Sequence, residues 1–392
     1  MPIVNRMAEL HDEITGWRRE FHSNPELLYD VHQTAESVAE KLQSFGCDEV
    51  VCGIGKTGLV GIIRGNRGDN GKVIGLRADM DALPIHEQTG KPWASKISGK
   101  MHACGHDGHT SMLLGAAKYL AETRNFEGSV AVIFQPAEEG GAGGKAMVDD
   151  GLMERFGITE VYGMHNLPGL EVGKFSIRSG AIMAATDSFD IKIIGYGGHA
   201  AMPHLSVDPI VIGAQIIVGI QSIVSRGSNP LEALVISVTK INAGNAYNVI
   251  PNEVVLKGTI RSLNNEVREF AKKQLCKIAS GIAEANSAQT EIDIVAGYPV
   301  TTNHEKQTKI AGKIAGIVAG VDSVDMDISP TMGGEDFSYM LEAKPGAFIF
   351  TGNGDSFGLH HPEYDFDDLA IPHGCSYWIK LVETEMNTDT GN

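Results

Sequence analysis

The sequence predicts an α/β fold, a mostly parallel sheet flanked by helices and interrupted by a smaller ferredoxin-like α+β domain. Three observations predict it. The chain has 392 residues, more than one ordinary core organises. Short apolar runs alternate with helical faces up to about residue 184 and again from about residue 298. Between them the order is strand, helix, strand, strand, helix, strand, the split β-α-β arrangement. The expected domains are therefore 1–184 with 298–392, discontinuous, and an inserted 185–297.

The elements follow in order. Residues 8–23 read as a helix that stops at Asn24-Pro25. A second helix follows Gln33, with Ala35, Val38, Ala39, Leu42 and Phe45 on its apolar face and Gly46 at its C-terminal cap. Strands are expected at Lys72–Arg77, Ser129–Phe134 and Glu160–Met164, with a helix at His109–Leu120. A continuous apolar run such as Ser129–Phe134 suits a strand buried on both faces. In the inserted stretch Asp187–Ile194 alternates as a half-exposed strand and Val207–Val224 reads as a helix. Strands at Ala233–Ile241 and Val254–Ser262, a helix at Asn265–Ala285 and a strand at Glu291–Val295 complete it. The polar tail after about Glu385 is expected to fray.

Composition narrows the function. A net charge of −17 repels phosphate backbones, so no nucleic-acid partner is expected. The five cysteines are odd in number and widely spaced, which argues against a disulfide framework and for a reducing, cytoplasmic setting. Met1–Leu10 carries no apolar signal core. The stretch Ile210–Val224 is broken by Gln215, Gln221 and Ser222 and reads as too short and too polar to span a bilayer, so no membrane is expected.

Four segments concentrate the chemistry. Met101–His109 holds three histidines, a cysteine and an aspartate. In an extended chain residues two apart face one way, which would bring Cys104 and His106 to one ion. Asp107 could orient an imidazole, while His102 and His109 read as structural residues or as supports behind the ligands and not as ligands themselves, His109 pointing away from the loop. Glu138 and Glu139 directly follow a buried strand, where sites in parallel sheets lie. Adjacent carboxylates diverge, so one can bind metal while the other handles protons. His165 ends a third strand, and either His360 or His361 can ligate. Asp79 and Asp81, after the strand Lys72–Arg77, can be ligands, supports or caps.

Nine segments, in order, resemble the metallopeptidase M20 amidohydrolase family, in particular its hippurate hydrolase and auxin-conjugate hydrolase branch. They are FHSNPEL from Phe21, RADMDALP from Arg77, MHACGHDGHT from Met101, QPAEEGG from Gln135, MHNLP from Met164, GGHAAMPH from Gly197, NVIP from Asn248, GGEDF from Gly333 and LHHP from Leu359. The resemblance implies two divalent metal ions, zinc or manganese with cobalt or nickel also acceptable, bridged by Cys104 as thiolate and completed by His106, Glu139, His165 and His360. It favours His360 over His361 because one variable residue and then proline follow the family's ligand. It makes Glu138 the general base and Asp79 and Asp81 supports. It also implies a homodimer through the inserted domain, in which His199 stabilises an oxyanion in the partner's site while Asn248 and Arg261 contact substrate. The implied reaction is hydrolysis of the amide bond of small N-acyl amino acids. The acyl group, drawn from benzoyl, acetyl, indolyl or longer chains, is left open.

Two rivals are weighed. A thiol amidase with Cys104 as nucleophile and His106 as base has poor geometry, because the two are neighbours on one loop. A non-catalytic binding protein has no use for a second carboxylate beside Glu139. An aminoacylase or dipeptidase with another acyl preference shares the same chemistry.

Overall fold

The computed structural model describes residues 4–387. Most of the tail expected to fray lies outside the described residues. The chain divides into two compact units, residues 1–182, 302–329 and 336–392 in one and residues 183–301 and 330–335 in the other. Pro330–Glu335, read from the sequence as part of the first domain, groups with the second unit.

The first unit is built on an eight-stranded sheet. Its centre is parallel, in the order Ser129–Gln135, Val73–Asp79, Glu160–Leu167, Gly346–Gly352. Strands Gly58–Arg64 and Glu49–Ile54 extend one edge antiparallel. Short strands Phe175–Ser176 and Val324–Asp325 finish the other. The central strands are largely apolar because both faces are covered, with polar side chains gathered toward their carboxyl ends; Val130 to Phe134, for example, are all fully buried.

The helix His106–Thr123 packs against this sheet and against the first helix, Asn5–Ser23. Close approach depends on two glycines. A Cβ on Gly115 would lie 2.6 Å from Ile14 Cδ1, and one on Gly108 2.2 Å from the Phe366 ring. The helix starts three residues before the His109 expected from the sequence.

A buried ionic contact ties these helices together. Asp107, in the first turn of its helix, accepts a hydrogen bond from His22 Nδ1 at 2.8 Å and lies 3.7 Å from Arg18. All three side chains are fully buried. Burial alone would depress the His22 pKa, but the Asp107 carboxylate outweighs it and holds His22 near 9. His22 is thus protonated in the fold above the value of about 6.5 at which a free imidazole titrates.

The second unit has its own core, in which Phe189, Ile191 and Ile193 meet Ile212, Ile216, Ile220 and Leu275. Its four-stranded sheet is antiparallel, in the order Leu234–Ala243, Glu253–Ser262, Ala185–Ile194, Gln289–Ala296. With helices Pro209–Ser222 and Asn265–Ala285 this is the ferredoxin-like order, second, third, first, fourth. Asn264 caps the longer helix by accepting from the Glu266 and Val267 amides.

The helix Pro209–Ser222 runs on through a π-turn, and over Pro209–Gly227 it is long and apolar enough, by length and composition, to cross a membrane. This corrects the sequence reading of Ile210–Val224 as too short and too polar. Only 28% of its apolar window is buried, and Val211 and Val218 are 53% and 73% exposed.

A pH dependence follows for the His22–Asp107 contact. Because the folded-state pKa of His22 is raised, its contribution is complete below about pH 6.5. It fades as pH rises toward 9. Urea unfolding across this range should show stability falling by up to about 3 kcal/mol, and His22→Gln should flatten that slope.

Candidate metal centre

The parallel register places three strand ends side by side. Asp79 pairs with Gln135 on one side, and Arg77 pairs with Gly163 on the other, two residues before His165. Loops leaving the carboxyl ends of adjacent parallel strands converge, the usual place for a site in such sheets.

Cys104 and His106 meet by a different route from the extended chain expected. Gly105 between them is left-handed, with φ +89°, and His106 is already the first residue of the helix. A Cβ on Gly105 would sit 2.3 Å from Asn166 Oδ1 and 2.6 Å from the Tyr364 hydroxyl. Only glycine allows both the turn and the contact.

Two buried imidazoles, His106 and His165, are oriented by backbone carbonyls. His106 Nδ1 donates to Asp81 O at 2.7 Å, and His165 Nδ1 donates to Asn166 O at 2.7 Å. A carbonyl only accepts, so a proton sits on Nδ1 and Nε2 is the nitrogen left to serve as a ligand atom. His165 Nε2 lies 3.4 Å from Cys104 Sγ. His106 Nε2 is buried with no hydrogen-bond partner.

The paired glutamates are set by Asp81. Its carboxylate accepts from the Glu138 amide at 2.9 Å and the Glu139 amide at 3.1 Å. Ala137 just before them is left-handed at φ 54°. His360 is left-handed too, at φ 65°, and its amide donates to Ala103 O at 2.8 Å, beside Cys104. Non-glycine residues rarely take this conformation, and such strain gathers at sites where surroundings enforce it. His360 Nε2 lies 3.3 Å from Glu139 Oε1.

Two trios of donor atoms result, Cys104 with His106 and His165, and Cys104 with Glu139 and His360; within each the donors lie within 4.8 Å of one another. Glu138 joins His106 and Glu139 in a third group. The electrostatics suit cations. Burial first, then Glu139, Glu138 and Asp79, push the Cys104 thiol well above its ordinary range. Burial would depress His106, but Asp79, Asp81 and Glu139 outweigh it and raise it to about 10. Burial and the neighbouring His109 hold His165 well below its ordinary value, so it is neutral. The excess of buried acids, His106 Nε2 and Glu139 Oε1 buried without a hydrogen bond, and a donor set of thiol, imidazole and carboxylate all fit divalent transition-metal ions.

The remaining sequence candidates fall as follows. Asp79 is fully buried between Arg77 at 2.7 Å and His109 Nδ1 at 2.6 Å. Contrary to the sequence reading, His109 faces the site. Its Nε2 lies 2.8 Å from Asn166 Oδ1, and its ring is 4.5 Å from that of His165. His102 is buried, with neither ring nitrogen hydrogen-bonded, and burial lowers its pKa to about 4. His361 stacks on Phe357 at 4.5 Å and accepts from the Glu363 amide, outside the trios. Sequence reasoning gave no sign that Asn166 and Tyr364 are joined by a 2.6 Å hydrogen bond behind Gly105; for Asn166 the adjacency to His165 was the available signal.

In the second unit His199 pairs with Val249 on a short ribbon, and the Ala200 amide donates to Asn248 O, so His199 and Asn248 are neighbours. Both are exposed. Arg261 lies on a central strand, and its guanidinium donates to Met332 O at 2.9 Å.

Asp81 should therefore matter as much as a ligand. Asp81→Ala strips the acceptor from both glutamate amides and should weaken metal retention about 10–100-fold. Competition with a chromophoric chelator measures this; an unchanged dissociation constant would mean that the loop holds itself.

The comparisons with known proteins bear on this geometry. Residues 75–384 match the family described as Peptidase family M20/M25/M40. The chain is 43% identical to a hippurate hydrolase of Campylobacter jejuni, over 97% of this chain and 99% of that one. It is 40% identical to an N-acetyl-L-cysteine deacetylase of Bacillus subtilis, over 93% and 86%. A solved Bacillus subtilis structure, described as a dinuclear metal binding peptidase from the M20 family, superposes with a TM-score of 0.84 at 33% identity, covering 97% of this chain and 99% of that one. With its glutamate loop, Cys-Gly-His turn and histidine strand end brought to one point, this chain belongs to the M20/M25/M40 peptidase family.

Proposed function

We propose that this protein is a metal-dependent amidohydrolase that cleaves small N-acyl amino acids, of the hippurate kind, into a carboxylic acid and a free amino acid. The observation that carries the reading is the sharing of Cys104 between two donor trios. The relatives named for hippurate hydrolysis and for N-acetyl-L-cysteine deacetylation support the substrate class.

Cys104, His106 and His165 would hold one ion, and Cys104, Glu139 and His360 the other. Zinc or manganese suits this set, with cobalt and nickel acceptable to the same donors. When bound, such ions supply Lewis acidity, making water a nucleophile near neutral pH and drawing charge from an amide oxygen. Glu138, a buried carboxylate beside the donors, takes the proton of the attacking water. It then delivers that proton to the leaving amine, so one group serves as base and acid in turn. His199 stabilises the oxyanion in the partner subunit's site, and Asn248 and Arg261 bind the substrate carboxylate, for which a guanidinium fork is suited.

The same reading makes the protein a homodimer joined through the second unit. The exposed apolar face of the helix from Pro209, with Val211 and Val218, and the exposed edge strand with Ile241 support this contact. A second copy, and not a membrane, is its occupant. All five cysteines are unpaired, which supports a cytoplasmic location.

Glu138→Gln should lower turnover by on the order of 10²–10⁴-fold while leaving metal content unchanged. The assay is amino-acid release from hippurate and a panel of N-acyl amino acids, with apo enzyme and after manganese or zinc is restored. Activity without metal, or in the Gln variant, refutes the mechanism. A dipeptide preference would shift the assignment within the same chemistry. Val211→Lys with Val218→Lys should convert dimer to monomer in light scattering and remove activity with it.

A further inference from the structure

We propose that Leu28 forms an apolar wall of the acyl pocket and biases the enzyme toward bulky apolar acyl groups over acetyl; this rests on the amidohydrolase reading above. Among the described residues of the first unit, six large apolar side chains are exposed, Leu28, Ile317, Val321, Met326, Phe357 and Leu369. Among the described residues, Leu28 is the one of these whose own backbone is bonded to the loop carrying Glu138 and Glu139. Its carbonyl accepts from the Ala137 amide at 3.1 Å, and the neighbouring Tyr29 hydroxyl donates to Gly141 O at 2.8 Å. The turn therefore grips that loop at both ends. On its other flank the Glu26 carbonyl accepts from the Ala82 amide at 2.8 Å, next to Asp81.

The conformation of Leu28 sharpens the point. It is the first central residue of a turn closed by the Asp30 amide to Leu27 O at 2.8 Å, and its φ is 49°. That position favours glycine or asparagine, not a γ-branched aliphatic side chain. A leucine there is strained, and with 41% of it exposed it gains little burial in return. Both features make sense if a ligand covers the side chain. Leu28, whose backbone is hydrogen-bonded to Ala137 next to Glu138, can do this for the acyl part of a substrate whose amide lies at Glu138.

The test compares wild type, Leu28→Gly and Leu28→Asn, each loaded with manganese. Both replacements tolerate the left-handed backbone, so each should fold with unchanged or higher melting temperature. The readout is kcat/KM for N-benzoylglycine against N-acetylglycine, with inhibition by benzoate as a binding measure. The proposal expects the benzoyl-to-acetyl ratio to fall about tenfold, carried by KM, with benzoate inhibition weakened alike. An unchanged ratio in a folded variant overturns the proposal while leaving the amidohydrolase reading in place. Wild type that hydrolyses no N-acyl amino acid overturns both.

Discussion

One buried carboxylate organises the centre. Asp81 accepts the amides of Glu138 and Glu139 on its side chain, while its own carbonyl takes the His106 proton. Three functional groups from two loops are thereby referred to one residue. The arrangement costs desolvation, since Asp81 is 1% exposed and burial raises its pKa. Two backbone donors and the neighbouring imidazole offset that cost.

Around this hub the parallel sheet supplies reach. Adjacent strands in register end at Asp79, Gln135 and just past His165, so side chains distant in sequence meet without long loops. Behind them a chain of buried polar groups, Asp336, Arg77, Asp79, His109, Asn166 and Tyr364, runs by hydrogen bonds beneath the donors. A buried network that is fully connected stiffens its neighbours and resists rearrangement.

Much of this was legible in the sequence, and the misses have physical causes. The continuous apolar runs marked the central strands because both faces are covered, and the strand, helix, strand, strand, helix, strand order marked the ferredoxin-like unit. Helix starts were less visible. The His106–Thr123 helix begins early because Gly105 turns the chain in a conformation that composition does not announce. That shift rotated His109 into the site and replaced the extended Cys104–His106 pair with a turn. The choice of His360 over His361 came from resemblance alone, whereas in the structure His361 is occupied by Phe357 and Glu363. The role of Asp81 was hidden because its partners are backbone amides more than fifty residues away, which carry no side-chain signal. Pro330–Glu335 returned to the second unit because short excursions leave no mark in an apolar pattern.

The five donors are unequally sheltered. Cys104, His106 and His165 are buried, whereas the His360 side chain is 52% exposed on an irregular segment. On the two-ion reading, the trio closed by His360 opens when one side chain swings into water, while the other opens only if the core loosens. The two positions would then differ in residence time far more than in donor chemistry. One ion would exchange with the surroundings and follow their supply, and the other would stay with the fold from its assembly onward.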